Sequence, residues 1–401
     1  MIMAKKELLS ISPFSVGEDL VQDHPLNTTT RRIFVAASKM NEGKTTSCMG
    51  LFNLLKRESS NVGYIKPIGQ RFVEIGEDKI DEDSYLLDKV FNFSVPIKAL
   101  SPIAVDSMFT RRYLDEDSEN SLELYKDEVC RAFDRASYEK DYIIIEGSGH
   151  AGVGASIGLS NAQVAKILGA QVILVTEGGI GSAIDELALN KALFDNLGVP
   201  IIGAILNKVI PDKIQMVKHY AGRGLDRLGI PLLGVIPVVE QLKAPNLAQV
   251  VRDVGGRWLN AQHVGKKERI NKVVIGAMTA KGVLEYMQKG VLVVTPGDRQ
   301  DILLAAIACM NSDETQGVSG ILLTSNVLPY PNLMQMLSRT NIPVMISSDD
   351  AYTVVAKINK MTIKTQPEDK DKFSIIEDLF KENMDVDTII NAFTNPQSSK
   401  E

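Results

Sequence analysis

IFVAASKMNEGKTTS, residues 33–47, holds the fold of this chain in miniature. Ile33 to Ala37 is an uninterrupted apolar run and reads as a buried strand. A short polar loop follows and closes on Gly43, Lys44 and Thr45. TTSCMGLFNLLKRE then has helical spacing. Strand, loop, Gly-Lys-Thr and helix form the layout of a phosphate-binding loop. Backbone N–H groups at the helix start point toward an anion, and the helix dipole favours it. Lys44 is placed to contact the outer phosphates, and the Thr45 hydroxyl to ligate magnesium. Ser38 stands where the common pattern has its first glycine. Asn41 tolerates the left-handed backbone that a glycine would otherwise supply, and Glu42 must point away from any bound phosphate.

Outward from this loop, more apolar runs alternate with helical segments up to about residue 240. VGYIKP (62–67), YIIIEG (142–147), QVILVTEGG (171–179), PIIGAILNK (200–208) and PLLGVIPVV (231–239) show no polar alternation. Such strands are buried on both faces, as in a parallel sheet covered by helices. The segments between them end in glycine, a common helix C-cap. The pattern predicts a doubly wound α/β domain over 31–240, with ligands at the carboxyl ends of its strands. Residues 74–141 carry two charge runs and read as mostly solvated helices and loops inserted between strands. After residue 241, NKVVIGAM, GVLVVTPGD, SGILLTSN and IPVMISS outline a smaller α/β domain, 241–365. Residues 1–30 read as a loosely held extension. Residues 366–401 read as a charged linker and short amphipathic helix, with NPQSSKE frayed at the end.

The motif positions fall at strand ends. Glu146 follows YIII and can hold magnesium directly or through water, or else cap the next helix. A second carboxylate comes from Asp78, Asp81 or Asp83; Asp83 is favoured because it opens the helical run SYLLDKV. Lys66, at the end of VGYI, neutralises a phosphate or a substrate carboxylate, or is simply solvated. Asn207 offers a donor and an acceptor together, which suits the adenine edge or a local turn. Pro237 and its backbone neighbours flank the base.

Composition narrows the partners. The chain has 401 residues, 44% of them hydrophobic, with a formal net charge of −6. That balance argues against nucleic acid, and no run approaches the length of a membrane span. Three scattered cysteines and four unclustered histidines fit a reducing cytoplasm and argue against a histidine metal site. Cys309, in the helical run AIACMNS, reads as a core thiol and not as the nucleophile of a Gly-x-Cys-x-Gly turn.

Taken in order, EGKTT, YIKPIGQ, IIIEGSGH, GGIGSAIDELALNKALF, ILNKV and PLLGVIP resemble the dethiobiotin-synthetase-like P-loop proteins, whose fold cobyrinic acid diamide synthases share. The similarity is greatest to the form fused at the N-terminus of long bacterial phosphate acetyltransferases. VVIGAM, VVTPGDRQDILLAA and GILLT resemble the DRTGG domain that follows there. The acetyltransferase domain itself is not expected within these residues. The resemblance implies phosphate binding by Gly43, Lys44, Thr45 and Thr46, magnesium on Thr45, Asp83 and Glu146, and adenine at Asn207. It matches Lys66 to a lysine beside phosphates and substrate. Lys39 falls where deviant-loop ATPases carry a lysine that crosses a dimer interface. The expected function is therefore magnesium-dependent ATP binding with slow hydrolysis, in a homodimer whose second domain regulates or docks a protein partner. The alternatives are an ATP-dependent ligase that activates a carboxylate or carbamate, with Lys44 and Lys66 catalytic, and an interaction module with a decayed loop.

Overall fold

A computed structural model of the protein describes residues 21–115, 118–310 and 317–394. The chain divides into two units, Met1–Val238 with Lys370–Glu401, and Val239–Asp369. Among the described residues no helix is long and apolar enough to cross a membrane.

The six apolar runs of the first unit form one parallel sheet. Its strands are β1 (Arg31–Ala37), β2 (Val62–Ile65), β3 (Tyr142–Glu146), β4 (Gln171–Glu177), β5 (Ile201–Val209) and β6 (Leu232–Pro237). They lie in the order β6-β5-β4-β1-β3-β2. The chain leaves β1 for the far edge at β2, returns to β3, then crosses to β4 on the other side of β1. Crossovers change direction there, and open parallel sheets bind ligands outside the strand ends at such a point. Registers pair Val35 with Glu146 and Glu177 with Asn207, which gathers these ends on one edge.

Helix α1 (Lys44–Glu58) follows the loop and buries Cys48, Met49, Leu51, Phe52, Leu54 and Leu55. Each such large side chain contributes about 1.5–3 kcal/mol relative to exposure. The inserted region turns further inward than its charge predicts. Phe72–Ile75 and Asp78–Asp81 form an antiparallel hairpin. Helix α2 (Glu82–Phe91) starts directly after it and buries Asp83, Ser84, Leu86 and Leu87.

Residues 1–20 lie outside the described residues, but Gln22 to Thr30 are not loosely held. The Asp134 carboxylate accepts from Leu26 N (2.9 Å), Asn27 N (2.8 Å) and Gln22 Nε2 (2.7 Å). Hydrogen bonds to a buried charged acceptor fix that strap. At the other end, helix α3 (Lys370–Asn383) returns to the first unit and buries Ile376, Leu379 and Phe380. Met384 bridges Gly234, and Asp385 N donates to Leu233 O at 2.8 Å. The edge strand β6 is thereby covered. The predicted fraying of NPQSSKE falls outside the described residues.

In the second unit, the strands β7 (Arg257–Asn260), β8 (Lys272–Ile275), β9 (Val291–Pro296), β10 (Gly320–Thr324) and β11 (Val344–Ile346) lie in the order β7-β11-β10-β9-β8. β7 is antiparallel and the others are parallel. Apolar clusters lie on both faces, one around Val293, Ile302 and Leu323, the other around Leu247, Leu292 and Met345. Cys309 ends the helix Gln300–Cys309 as a buried thiol.

Candidate functional site

The loop of residues 38–43 joins β1 to α1 without the first glycine. Ser38 donates its N–H to Val175 O at 2.8 Å, and its hydroxyl lies 2.8 Å from Thr176 Oγ1 and 2.9 Å from Glu186 Oε2. Neighbouring strand ends thus fix its position. Asn41 has φ 64° and Gly43 φ 92°. Two left-handed residues turn the chain so that α1 begins at Lys44 with no side-chain cap and no acidic residue in its first turn. Among the described residues no side-chain cap bonds the leading N–H groups of α1, the arrangement that favours an anion.

Gly43 has no room for a side chain. A Cβ there would overlap the Asn207 amide nitrogen. That amide donates to Glu42 O at 2.8 Å, while Asn207 Oδ1 accepts from Lys208 N at 2.9 Å. Lys208 Nζ adds a bond to Asn41 O at 2.6 Å. Asn207 is 6% exposed, and in this structure its amide clamps the loop. Pro237 ends β6 in register with Val209, on the neighbouring strand. Gly43→Ala should lower stability by about 1–2 kcal/mol from the left-handed backbone alone, with the displaced Asn207 adding to it. Urea unfolding measures this loss, and an unchanged midpoint would contradict the close approach.

Beyond the loop lies a buried charge cluster. Lys66, 6% exposed, pairs with Asp83 and with Asp81 Oδ1 at 2.9 Å, and its Nζ is 3.9 Å from Glu146 Oε1. Thr45 Oγ1 donates to Glu146 Oε1 at 2.8 Å, and Tyr64 OH donates to Oε2 at 2.9 Å. Asp81 caps α2 by accepting from Asp83 N, and its own N–H is held by Ser101 Oγ. Asp81 and Asp83 therefore meet Glu146 around Lys66, and Glu146 carries the bond to Thr45. Asp78 takes no part in the ion pairs; it lies in the hairpin in register with Ile75. Lys66 reaches the site, and in this structure its ammonium is held among the carboxylates of Asp81, Asp83 and Glu146.

Burial pulls the Lys66 ammonium down, yet Asp83, Asp81 and Glu146 overcome it and hold it well above the ordinary lysine range. Burial, followed by the neighbouring Lys66 charge, lowers Lys44 against the opposing pull of Glu146. Burial raises Asp81 and Glu146; Lys66 opposes this and Asp83 adds to it. Three carboxylates face the two ammonium groups of Lys44 and Lys66, leaving an excess negative charge. The donors are all oxygens, Thr45 included, and suit a hard divalent cation such as magnesium. Among the described residues no group of three His, Cys, Asp or Glu side chains forms a metal cage. Magnesium needs none, since one or two carboxylates plus phosphate oxygens suffice.

Lys39 is bound to Glu186 of its own chain, so this structure ties it locally. Tyr64 and Glu186 escaped the sequence reading. Tyr64 sits in a run that looks purely like core; its one signal is a phenol in a strand buried on both faces, where a hydroxyl must find a partner. Glu186 is an ordinary helix residue until the loop is folded against it.

Residues 31–246 match the family model described as an AAA domain, and residues 249–361 match the DRTGG domain. The phosphate acetyltransferase of Pseudomonas aeruginosa is 29% identical over 360 residues, covering 84% of this chain and 49% of that protein. The phosphate acetyltransferase of Nitratidesulfovibrio vulgaris is 25% identical over 386 residues, covering 92% and 53%. The match falls in the N-terminal region of these proteins, and the chain spans about half the length of the curated relatives it matches. Among solved structures, a ParA family ATPase from Chlorobium tepidum is similar with a TM-score of 0.33 and 16% identity, covering 54% of this chain and 87% of that one.

Proposed function

This chain belongs to the AAA-domain family over residues 31–246 and carries a DRTGG domain after it, and from there we propose that it binds ATP with magnesium, hydrolyses it slowly, and uses the second unit for regulation or partner docking. One observation carries the reading: α1 opens without a side-chain cap, with Lys44 at its first position and Thr45 on Glu146. Gly43, Lys44, Thr45 and Thr46 would hold the phosphates. Thr45, Asp83 and Glu146 would hold magnesium, which supplies charge neutralisation between the phosphates.

The way the carboxylates are used supports slow turnover. Hydrolysis needs a group that orients or deprotonates water. Asp81 and Asp83 are paired with Lys66, and both Glu146 oxygens accept hydroxyl protons. No observation favours the ligase reading, since the Lys66 ammonium is enclosed. Nor does the absence of the first glycine favour a decayed loop, since Ser38 is held from both the main chain and the side chain. A homodimer in a reducing cytoplasm belongs to the same proposal; sedimentation with and without nucleotide tests the dimer.

Calorimetry is the direct test. Magnesium and ATP should give a saturable heat that a chelator abolishes. Lys44→Ala removes a charge-assisted contact of about 1.5–3 kcal/mol, roughly a ten- to hundredfold loss in affinity. Binding indifferent to both the chelator and Lys44→Ala would sink the proposal.

A further inference from the structure

We infer that nucleotide binding at this loop is coupled to proton uptake at Glu42, which makes Glu42 an affinity-setting residue of the site. The inference rests on the nucleotide reading above. Glu42 immediately precedes Gly43, in the loop that would wrap the phosphates. Its side chain is folded inward, and the residue is only 6% exposed. Among the described residues no hydrogen-bond partner reaches its Oε2. A buried carboxylate oxygen without a donor is a costly arrangement for an ion and a cheaper one for an acid.

The surrounding charges point the same way. Glu177 at the end of β4 and Glu186 of the helix Gly181–Asn196 repel a charge on Glu42. Lys208 of β5 and Lys39 of the loop attract it. Lys39, however, is bound to Glu186, and those two largely cancel. Lys208, whose Nζ also bonds Asn41 O, then faces Glu42. Burial, and then Glu177, raise the Glu42 carboxyl above the usual range, against Lys208 and a backbone hydrogen bond from Glu177. A polyphosphate beside the next residue adds further negative charge in a site of reduced dielectric. It favours the neutral acid in the complex more than in the free protein.

The sign follows by linkage. A carboxyl whose bound-state pKa exceeds its free-state pKa takes up a proton on binding between those two values. Affinity is then highest below the free-state pKa and falls as pH rises, by up to about tenfold per pH unit for one proton. Binding of magnesium with a non-hydrolysable ATP analogue should be measured by calorimetry from mild acid to neutral pH, in two phosphate-free buffers of different ionisation heat, where a proton taken from the buffer shows as a buffer-dependent heat. The wild type should show that heat difference and weaken with pH. Glu42→Gln should lose the difference beyond the ligand's own titration and bind more tightly at the alkaline end. Glu177→Gln, which leaves Glu42 in place, should move the pH window downward and serves if Glu42→Gln does not fold. Identical slopes and heats in wild type, Glu42→Gln and Glu177→Gln would overturn this inference alone. No binding at any pH would overturn it together with the nucleotide reading.

Discussion

Lys66→Met should destabilise the first unit by about 3–5 kcal/mol, the usual loss when one partner of a buried ion pair is removed and its mates stay charged. Lys66 is the shared cation of Asp81, Asp83 and, at longer range, Glu146. Without it the carboxylates face only Lys44. The pH dependence distinguishes this from a simple packing loss. Burial already raises Asp81 and Glu146 above ordinary carboxylate values with Lys66 present. Removing the cation raises them further. An acid whose folded pKa lies above its unfolded one destabilises the fold above the folded value, and the penalty is relieved as pH falls toward the unfolded value. The loss from Lys66→Met should therefore be largest at neutral and alkaline pH and shrink on mild acidification. Adding Asp83→Asn should recover part of it, because the two sites are in contact and not additive. Urea unfolding at several pH values reads all of this. A pH-independent loss would mean that the ammonium contributes packing and not charge.

The charge cluster also marks where sequence stops being informative. Buried strands announce themselves because both faces are apolar, which is why all six strands of the first sheet and four of the second were legible. β7, RWLN, was not, because an antiparallel edge strand is only half-buried and mixes residue types. The hairpin 72–81 was hidden inside a charge run. Its turn is Gly76, with φ 63°, between Ile75 and Asp78. Alternation over only four residues is a weak signal beside so many acids. That Gly43, Lys44 and Thr45 would come together with Glu146 at the strand ends was readable, because the layout of a phosphate loop dictates residue type at fixed spacing. The Lys66 cage was not. An ammonium at a strand end looks the same in sequence whether it meets solvent, phosphate or carboxylates 15 and 17 residues ahead. Asn207 was ambiguous for the same reason. Its amide suits a base edge and a loop carbonyl equally, and only the close approach of Gly43 decides.

Phe380→Ala carries the other large effect, and it concerns a helix whose sequence gave its amphipathic period but not its partner. Phe380 is fully buried, with Ile376 beside it, and its ring lies where a side chain on Gly50 would go. Gly50 is inside α1, where glycine costs about 1 kcal/mol relative to alanine. Its presence there is explained by the ring that covers it. Truncating a buried phenylalanine costs about 3–5 kcal/mol. Gly50→Ala in the wild type should also destabilise, since its methyl overlaps the ring and overpacking costs about 1–3 kcal/mol. In the Phe380→Ala background the same Gly50→Ala change should instead be neutral or stabilising, because the space is free and helix propensity improves. That reversal of sign is the specific signature of direct contact. Because α1 also carries the phosphate-loop residues at its start, magnesium and ATP should raise the melting temperature of Phe380→Ala as in the wild type, from a lower base. The matched domain regions, 31–246 and 249–361, leave this helix out. A chain cut after Asp369 should therefore lose at least as much stability as Phe380→Ala, by thermal unfolding of the 401-residue chain against the truncation. Equal melting temperatures would show that α3 does not contribute to the first unit.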